Sequence, residues 1–471
     1  MKLLILNEWR QWARERRLKA LLIFGLAIGA AALWHQLDYQ AQLLETRQDA
    51  QQESRREWLT QESKHPHMAA HFGNYAYKRP SPLHSFDPGL TPYTGSSVYM
   101  EPHRQNDFLF SQSQENGTGL RFGWLSPALV CQLVLPLLII LFSFNTIVGE
   151  RERGTLPLLL AQGVGFRRIL FAKILATFLV FELGFTVFFA VTLGMSRLLM
   201  AASVPASTML YVWSIYTLYI FCWSLLGVVV SARFRSVGGS IVALLLLWMF
   251  TAILMPRMAA NVAENLFPLV TNYQFKRQIS KAIENGLDGH DPKSDRALRL
   301  ERALLARYRV SKVEDLPFNF EGYVMQQGEE YSSKAYDGQF AKIFDTLEKQ
   351  KRVQSWLSAL SPFMAVRSLS MAGSGSSMES EIDFQQQAEH FRRAFVQDMN
   401  RDMRDNSAYG TFETYRLKPG KYAAMPDLQV LTRPLSWSLA RALPEHIWLA
   451  GWVLVLLALV LGMNEKKLYV R

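Results

Sequence analysis

The sequence predicts a mainly α membrane protein: six transmembrane helices with an N-terminal amphipathic interfacial helix, a mixed first outer domain and a mostly helical second one. Two observations lead to that expectation. Apolar residues cluster in six stretches of roughly 17 to 25 residues, the length an α-helix needs to cross the hydrocarbon core of a bilayer. The basic residues behind the net charge of +11 gather in short segments flanking those stretches, where lysine and arginine resist translocation. Overall abundance adds little, because 49% hydrophobic residues and a mean hydropathy of +0.03 would also suit a globular chain in water.

The spans are expected at residues 18–36, 124–148, 173–194, 209–231, 237–255 and 446–463. Arg10, Arg14, Arg16, Arg17 and Lys19 precede the first, and Arg151, Arg153, Arg167, Arg168 and Lys173 separate the second from the third. Arg233 and Arg235 lie between the fourth and fifth, while Lys466, Lys467 and Arg471 follow the sixth, in a tail at 464–471. With six crossings these segments share one side, the cytoplasm, so both termini are expected there. The connection Met195–Thr208 on the other side carries only Arg197. Topology thus accounts for the positive charge, and no nucleic-acid partner is expected. Residues 37–123 and 256–445 then form two extracytoplasmic domains, as in a multi-pass protein of a bacterial inner membrane. The only cysteines, Cys131 and Cys222, fall inside expected spans, so the outer domains have no disulfide framework.

Residues 1–17 have amphipathic order. Ile5, Trp9 and Trp12 share one helical face while Arg10, Arg14 and Arg17 share another, which suits a helix on the membrane surface with tryptophans at headgroup level and arginines facing anionic lipid. The stretch Ala20–Leu33, with Ala30, Ala31 and Ala32, could also serve as a signal-peptide core, but the long segment before it, with Glu8 and Glu15, favours a retained span. Beyond it, Asp38–Lys64 lacks Pro and Gly and is expected to continue as a helix out of the membrane. His65–Asp107 changes to turn and short-strand texture, with Ser81-Pro82, Asp87-Pro88-Gly89 and Thr91-Pro92.

The second outer region reads as helices at about 261–284, 293–308, 331–358 and 379–404. Apolar residues recur there at helical spacing, as in Ala297, Leu300, Leu304 and Leu305, or Phe340, Ile343, Phe344 and Leu347. Met371–Ser377, rich in Gly and Ser, is expected to be a flexible connector, and Lys418-Pro419-Gly420-Lys421 a turn.

The loop at 149–172 carries the functional argument. Glu150 and Glu152 sit where a helix begins, favourable against its positive end, and Thr155 can bond the local backbone. Leu156, Leu158, Leu159 and Leu160 then make a short apolar helix that must rest against a membrane or another protein. Gly149-Glu-Arg-Glu-Arg-Gly-Thr-Leu156, with Arg167-Arg168 and Phe171-Ala172-Lys173 behind it, resembles the signature loop of ABC-transporter permeases of the second exporter class (ABC-2). The six spans and the preceding amphipathic helix resemble that class as well. So do the outer stretches His71–Ala76, Phe86–Leu90, Glu101–Asn106, Asn319–Gly322, Gly328–Tyr331 and Leu369–Ala372, which are similar to a subgroup with long insertions after spans one and five. The resemblance implies that residues 149–172 hold a coupling helix, with Glu150, Glu152, Gly154, Thr155 and Leu156 contacting a cytoplasmic ABC ATPase. It also implies a second permease copy or a similar permease beside this chain, within membrane lipids.

No phosphate-binding loop of the form Gly-x-x-x-x-Gly-Lys-Ser/Thr occurs: Gly420-Lys421 is followed by Tyr422, and Tyr415 stands where the first glycine belongs. ATP and magnesium are therefore expected on a partner subunit, with no cofactor and no catalytic residue in this chain. Five of the nine histidines, His65, His67, His71, His84 and His103, fall in the first outer domain near Asp87, Glu101 and Asp107. Their spacing matches no standard zinc pattern, so solvated or hydrogen-bonded histidines are expected and no metal ligand is assigned. Glu182 lies well inside the third span, where a lipid-facing carboxylate would cost several kcal/mol. It belongs either to a path or lock between helices, or near a span end in reach of solvent. Two further functions stay open: a mechanical transmitter acting on a periplasmic partner, motivated by the size of the outer domains, and a membrane-anchored periplasmic enzyme using the histidines.

Overall fold

The computed structural model describes residues 1–109, 124–284 and 294–464; the tail with Lys466, Lys467 and Arg471, and the expected helix start at Lys293, lie outside the described residues. The chain begins with α1 (Lys2–Arg14) and, after an extended Glu15, α2 (Arg16–Thr60). The first of the two regions expected outside the membrane, called outer for that expectation alone, then supplies α3 (Pro66–His71), β1 (Asn74–Tyr77), a short α4 (Thr91–Thr94), β2 (Ser97–Glu101) and β3 (Arg104–Leu109). The strands form an antiparallel sheet in the order β1-β2-β3, with Tyr75 opposite Tyr99.

The bundle continues with α5 (Pro127–Ser143), α6 (Val148–Glu152), α7 (Thr155–Ala161), α8 (Phe166–Met200) and α9 (Ala206–Arg233). α10 (Val237–Met249) passes through a π-helical segment, Phe250–Leu254, into α11 (Met255–Leu266). Pro256 removes a backbone donor and crowds the preceding turn, a local reason for the wider winding there. The second outer region holds α12 (Asn272–Glu284), α13 (Asp295–Tyr308), α14 (Phe320–Leu357), α15 (Pro362–Ser374), α16 (Met378–Asn406), α17 (Pro419–Ala424) and α18 (Leu435–Arg441), and α19 (Leu443–Gly462) returns through the bundle.

Among the described residues, six helical stretches are long and apolar enough to cross a membrane: Arg16–Thr60, Pro127–Glu152, Phe166–Met200, Ala206–Arg233, Val237–Leu266 and Leu443–Gly462. Serine caps mark several starts: Ser126 accepts from Leu129 N (3.2 Å), Ser236 from Gly239 N (3.2 Å) and Ser361 from Met364 N (3.1 Å). Pro127 and Pro362 follow two of these caps, where their missing donor costs nothing. α9 is the central helix, with Val212, Tyr216, Tyr219, Ile220 and Trp223 fully buried among α5, α8, α15 and α19.

Several expectations are corrected by the packing. Met371–Ser377 is not a flexible connector, because Met371–Ser374 ends α15, whose Ala365, Val366 and Leu369 are fully buried against the bundle. Its small residues allow close approach to α9: a Cβ on Gly373 would come within 2.8 Å of Tyr211 and Val212. The helix expected at 261–284 is two helices, since Pro268 stops α11 at Leu266 and α12 begins at Asn272. The turn expected at 418–421 opens the short helix α17 instead. The second span is interrupted after Ser143 by a turn before α6.

The two outer regions, read from sequence as separate domains, pack into one body. Trp58 at the far end of α2 is buried with Ala69, Ala70, Phe395, Met399 and Tyr422, and donates through Nε1 to the Tyr422 carbonyl at 3.0 Å. The sheet rests on α16 through Ala76, Val98, Met100, Phe384 and Ala388. Lys78 pairs with Glu381, which also accepts from Thr91 and Thr94.

Candidate functional site: a loop anchored by a buried ion triad

At the end of the bundle opposite the outer body, α6 and α7 form a short helix-turn-helix. The turn is made by Gly154 at φ +72°, a left-handed conformation that glycine adopts without a Cβ clash. Arg151 fixes α6 to the end of α9, its guanidinium donating to the carbonyls of Phe234 and Ala232, each at 2.8 Å. Ser231 Oγ accepts from the backbone of Ile147 and Val148, and Glu152 Oε1 accepts from Val237 N at 2.9 Å, where α10 starts. Thr155 Oγ1 closes the turn on the Glu150 carbonyl at 3.2 Å.

Beneath the turn lies a buried ion triad. Lys173 Nζ, near the start of α8, donates to Glu8 of α1 at 2.6 Å and to Glu150 of α6 at 2.7 Å, and all three side chains are buried. One ammonium between two carboxylates ties together segments far apart in sequence, and burial makes each member dependent on the others. α1 is held further by Trp9 Nε1, which donates to the Ala176 carbonyl at 3.0 Å, and by Trp12, packed edge-on against Phe142. The tryptophans expected at headgroup level therefore make protein contacts, because the face they share covers α8 and α5.

The five expected contact residues divide accordingly. Glu150 and Leu156 point inward, Leu156 being 1% exposed, while Glu152, Gly154 and Thr155 lie on the surface with Pro157 and Leu158. Leu158 is 63% exposed, an apolar side chain presented outward at the tip of a charged loop. Glu182, midway along α8, accepts from Thr217 of α9 at 2.7 Å; Thr186 in turn receives Trp213 Nε1 at 3.0 Å. It is thus bonded between helices, and sequence alone left its partner open.

At the opposite end of the bundle a polar chain runs through apolar surroundings. Gln132 donates to Tyr216, Tyr216 to Ser370, and Ser370 to the Asp87 carboxylate, linking α5, α9, α15 and the turn before α4. Burial pushes the Asp87 carboxyl upward, against the opposing effects of Ser370, the Gly89 amide and the Arg367 charge. Beside it opens a cavity of about 560 Å³ lined by residues that include Asp87, Gln132, Ile253, Arg257, Arg367 and Met371. Nothing in the sequence marked these residues as neighbours.

Of the five histidines in the first outer region, three come together. His67 and His71 lie one turn apart on α3, and His103 reaches them from the β2–β3 turn, with a ligating atom from each within 4.8 Å of the others. His65 instead packs on Phe412, and burial, with Arg416 nearby, pushes it down to about 4. His84 is buried beside α2 and is pushed down to about 3 by burial and then by the charge of Lys78. Among the acidic residues named with them, Asp87 faces the bundle and Glu101 accepts from Asn106 at 3.0 Å.

Comparison with known proteins adds one finding. Residues 272–430, about a third of the chain, match a family described as a domain of unknown function (DUF3526), which spans α12 to α17 of the outer body. No curated protein matches the chain.

Proposed function

We propose that this chain is the transmembrane permease subunit of an ATP-driven ABC exporter, in which a separate ATPase subunit docks on the α6–α7 turn and drives substrate export. The observation that carries the reading is the anchored turn: an exposed patch of Glu152, Gly154, Thr155 and Leu158 set on a rigid base of Lys173, Glu8, Glu150 and Arg151. An element that transmits force from a nucleotide-driven partner needs such a base, because a load on a pliant loop would be absorbed locally. Here displacement of the turn would pass directly to α1, α8 and α9. The loop resemblance to ABC-2 permeases supports this, as does the lack of a phosphate-binding loop. In this reading the turn and both termini face the cytoplasm of a bacterial inner membrane, a second permease copy or similar permease completes the pair, and the 560 Å³ cavity lies toward the outer end of the substrate route.

The test is to coexpress and copurify the chain with candidate ABC ATPases from its own source cell, comparing the native protein with a Thr155→Arg/Leu158→Glu double variant. Both positions are exposed, so the fold should persist while pairing and stimulated ATP hydrolysis are lost. Undiminished pairing would refute the docking assignment.

A second reading is favoured by one observation. α2 runs unbroken from the bundle to Trp58, which is buried in the outer body, so motion of the bundle could be delivered to a periplasmic partner instead of moving a solute. Crosslinking from the outer body in cells separates the two, since only the transmitter captures a periplasmic protein in a nucleotide-dependent way.

A further inference from the structure

We infer that the outer body binds a divalent transition-metal ion of the zinc class through His67, His71 and His103. The helix α3 places His67 and His71 four residues apart on one face, so both imidazoles project toward the same point. Their Nε2 atoms are 3.0 Å apart. Two nitrogens bound to one tetrahedral zinc at about 2.0 to 2.1 Å would stand about 3.3 Å apart, so this pair is already at chelating separation. His103 completes the set from the β2–β3 turn, where its backbone holds a left-handed φ of +65°, a conformation uncommon for a residue other than glycine.

The surroundings are built in the way ligating histidines require. Glu329 of α14 takes His103 Nδ1 and also accepts from its backbone N–H at 2.9 and 3.1 Å, which fixes the orientation of the ring. A carboxylate on the far nitrogen of an imidazole fixes the tautomer and raises the basicity of the ligating nitrogen. Glu329 is itself buried and faces Arg392 at 3.6 Å, and Arg392 is held by both oxygens of Glu389 at 2.7 and 2.8 Å. The third ligand thus stands on a braced platform.

The donor set selects the metal. Three imidazoles suit zinc, copper or nickel, whereas calcium and magnesium require oxygen ligands. His67 is buried, His103 intermediate and His71 exposed, so the cluster opens to solvent on one side and a fourth position is open to water or an exchangeable ligand. Glu329 lies in the stretch matched by the domain of unknown function, so the carboxylate that supports the site comes from that domain while all three ligands come from the first outer region. This inference rests on the outer body alone and stands whether or not an ATPase docks at the other end.

The experiment uses the full chain in detergent, purified without a histidine tag, stripped with a chelator, reloaded with Zn²⁺ and desalted. Elemental analysis should give one zinc per chain in the native protein and in a His84→Gln control, and none above background in His71→Ala or His103→Ala. Glu329→Gln should weaken the affinity about 10- to 100-fold while keeping the ligands. Co²⁺ in place of zinc should give visible absorption typical of a tetrahedral nitrogen site, and zinc should raise the unfolding temperature of the native chain but not of His71→Ala. Absence of stoichiometric zinc from the native chain, or zinc retained equally by His71→Ala and His103→Ala, overturns the assignment.

Discussion

Lys173 Nζ sits 2.7 Å from Glu150 Oε1 with both side chains buried, and this contact joins the start of a long membrane-length helix to the surface turn. Glu8 takes the same ammonium from the other side. Removing the lysine alone strands two buried carboxylates, whereas removing all three charges strands none. Lys173→Met should therefore cost about 3 to 5 kcal/mol, and the triple variant Lys173→Met/Glu8→Gln/Glu150→Gln clearly less. Thermal unfolding in detergent checks this; a single variant no weaker than the triple would contradict it.

Close packing at α15 makes an opposite pair of glycine substitutions informative. Gly373→Ala drives a methyl against Tyr211 and Val212 and should destabilise by about 1 to 3 kcal/mol. Gly338, in the middle of α14, has nothing near its absent Cβ, so Gly338→Ala should stabilise by about 0.5 to 1 kcal/mol. Equal effects at the two sites would remove the argument for a tight α15–α9 contact.

His84 gives the outer body a pH dependence of definite sign. Its pKa is about 3 in the folded chain against an ordinary 6.5, so between these values the unfolded state binds the extra proton and folding loses stability as pH falls. Above about 6.5 the residue is neutral in both states and contributes no slope. The unfolding temperature should decline from pH 7 toward pH 5, and His84→Gln should reduce that decline. An unchanged slope in the variant would mean that another group dominates.

The cavity predicts a labelling pattern. Cys131 and Cys222 are both buried, so the native chain should not react with a water-soluble maleimide. Met371→Cys, on the cavity wall, should react readily, and Arg367→Ala beside it should leave that reaction intact. Labelling of the native chain would indicate a more open bundle.

The spans were readable because crossing a bilayer demands a long local run of apolar residues, and each of the six is contiguous. The helical faces around Leu304 and Phe340 were readable for a similar reason, since their period is local. α15 was not, because the small residues that let it press against α9 have the composition of a linker; Gly373 and Ser374 look the same in either role. The loop's composition pointed to a surface element, but the inward turn of Glu150 depends on Lys173 and Glu8, a pairing across 165 positions that no spacing rule reveals. The histidines divide likewise: the interval from His67 to His71 was visible, whereas His103 arrives only through the strand pairing that folds β3 back on β2.

The uninterrupted length of α2 makes it a lever. Its 45 residues measure about 67 Å, and a bilayer core of about 30 Å leaves more than half of that projecting beyond the lipid. A tilt of only about 10° where it emerges would sweep its far tip sideways by about 6 Å, roughly one helical turn. Because Trp58 rides on that tip, small rocking within the lipid would be magnified into a displacement large enough to open or shut a seam in the body it carries.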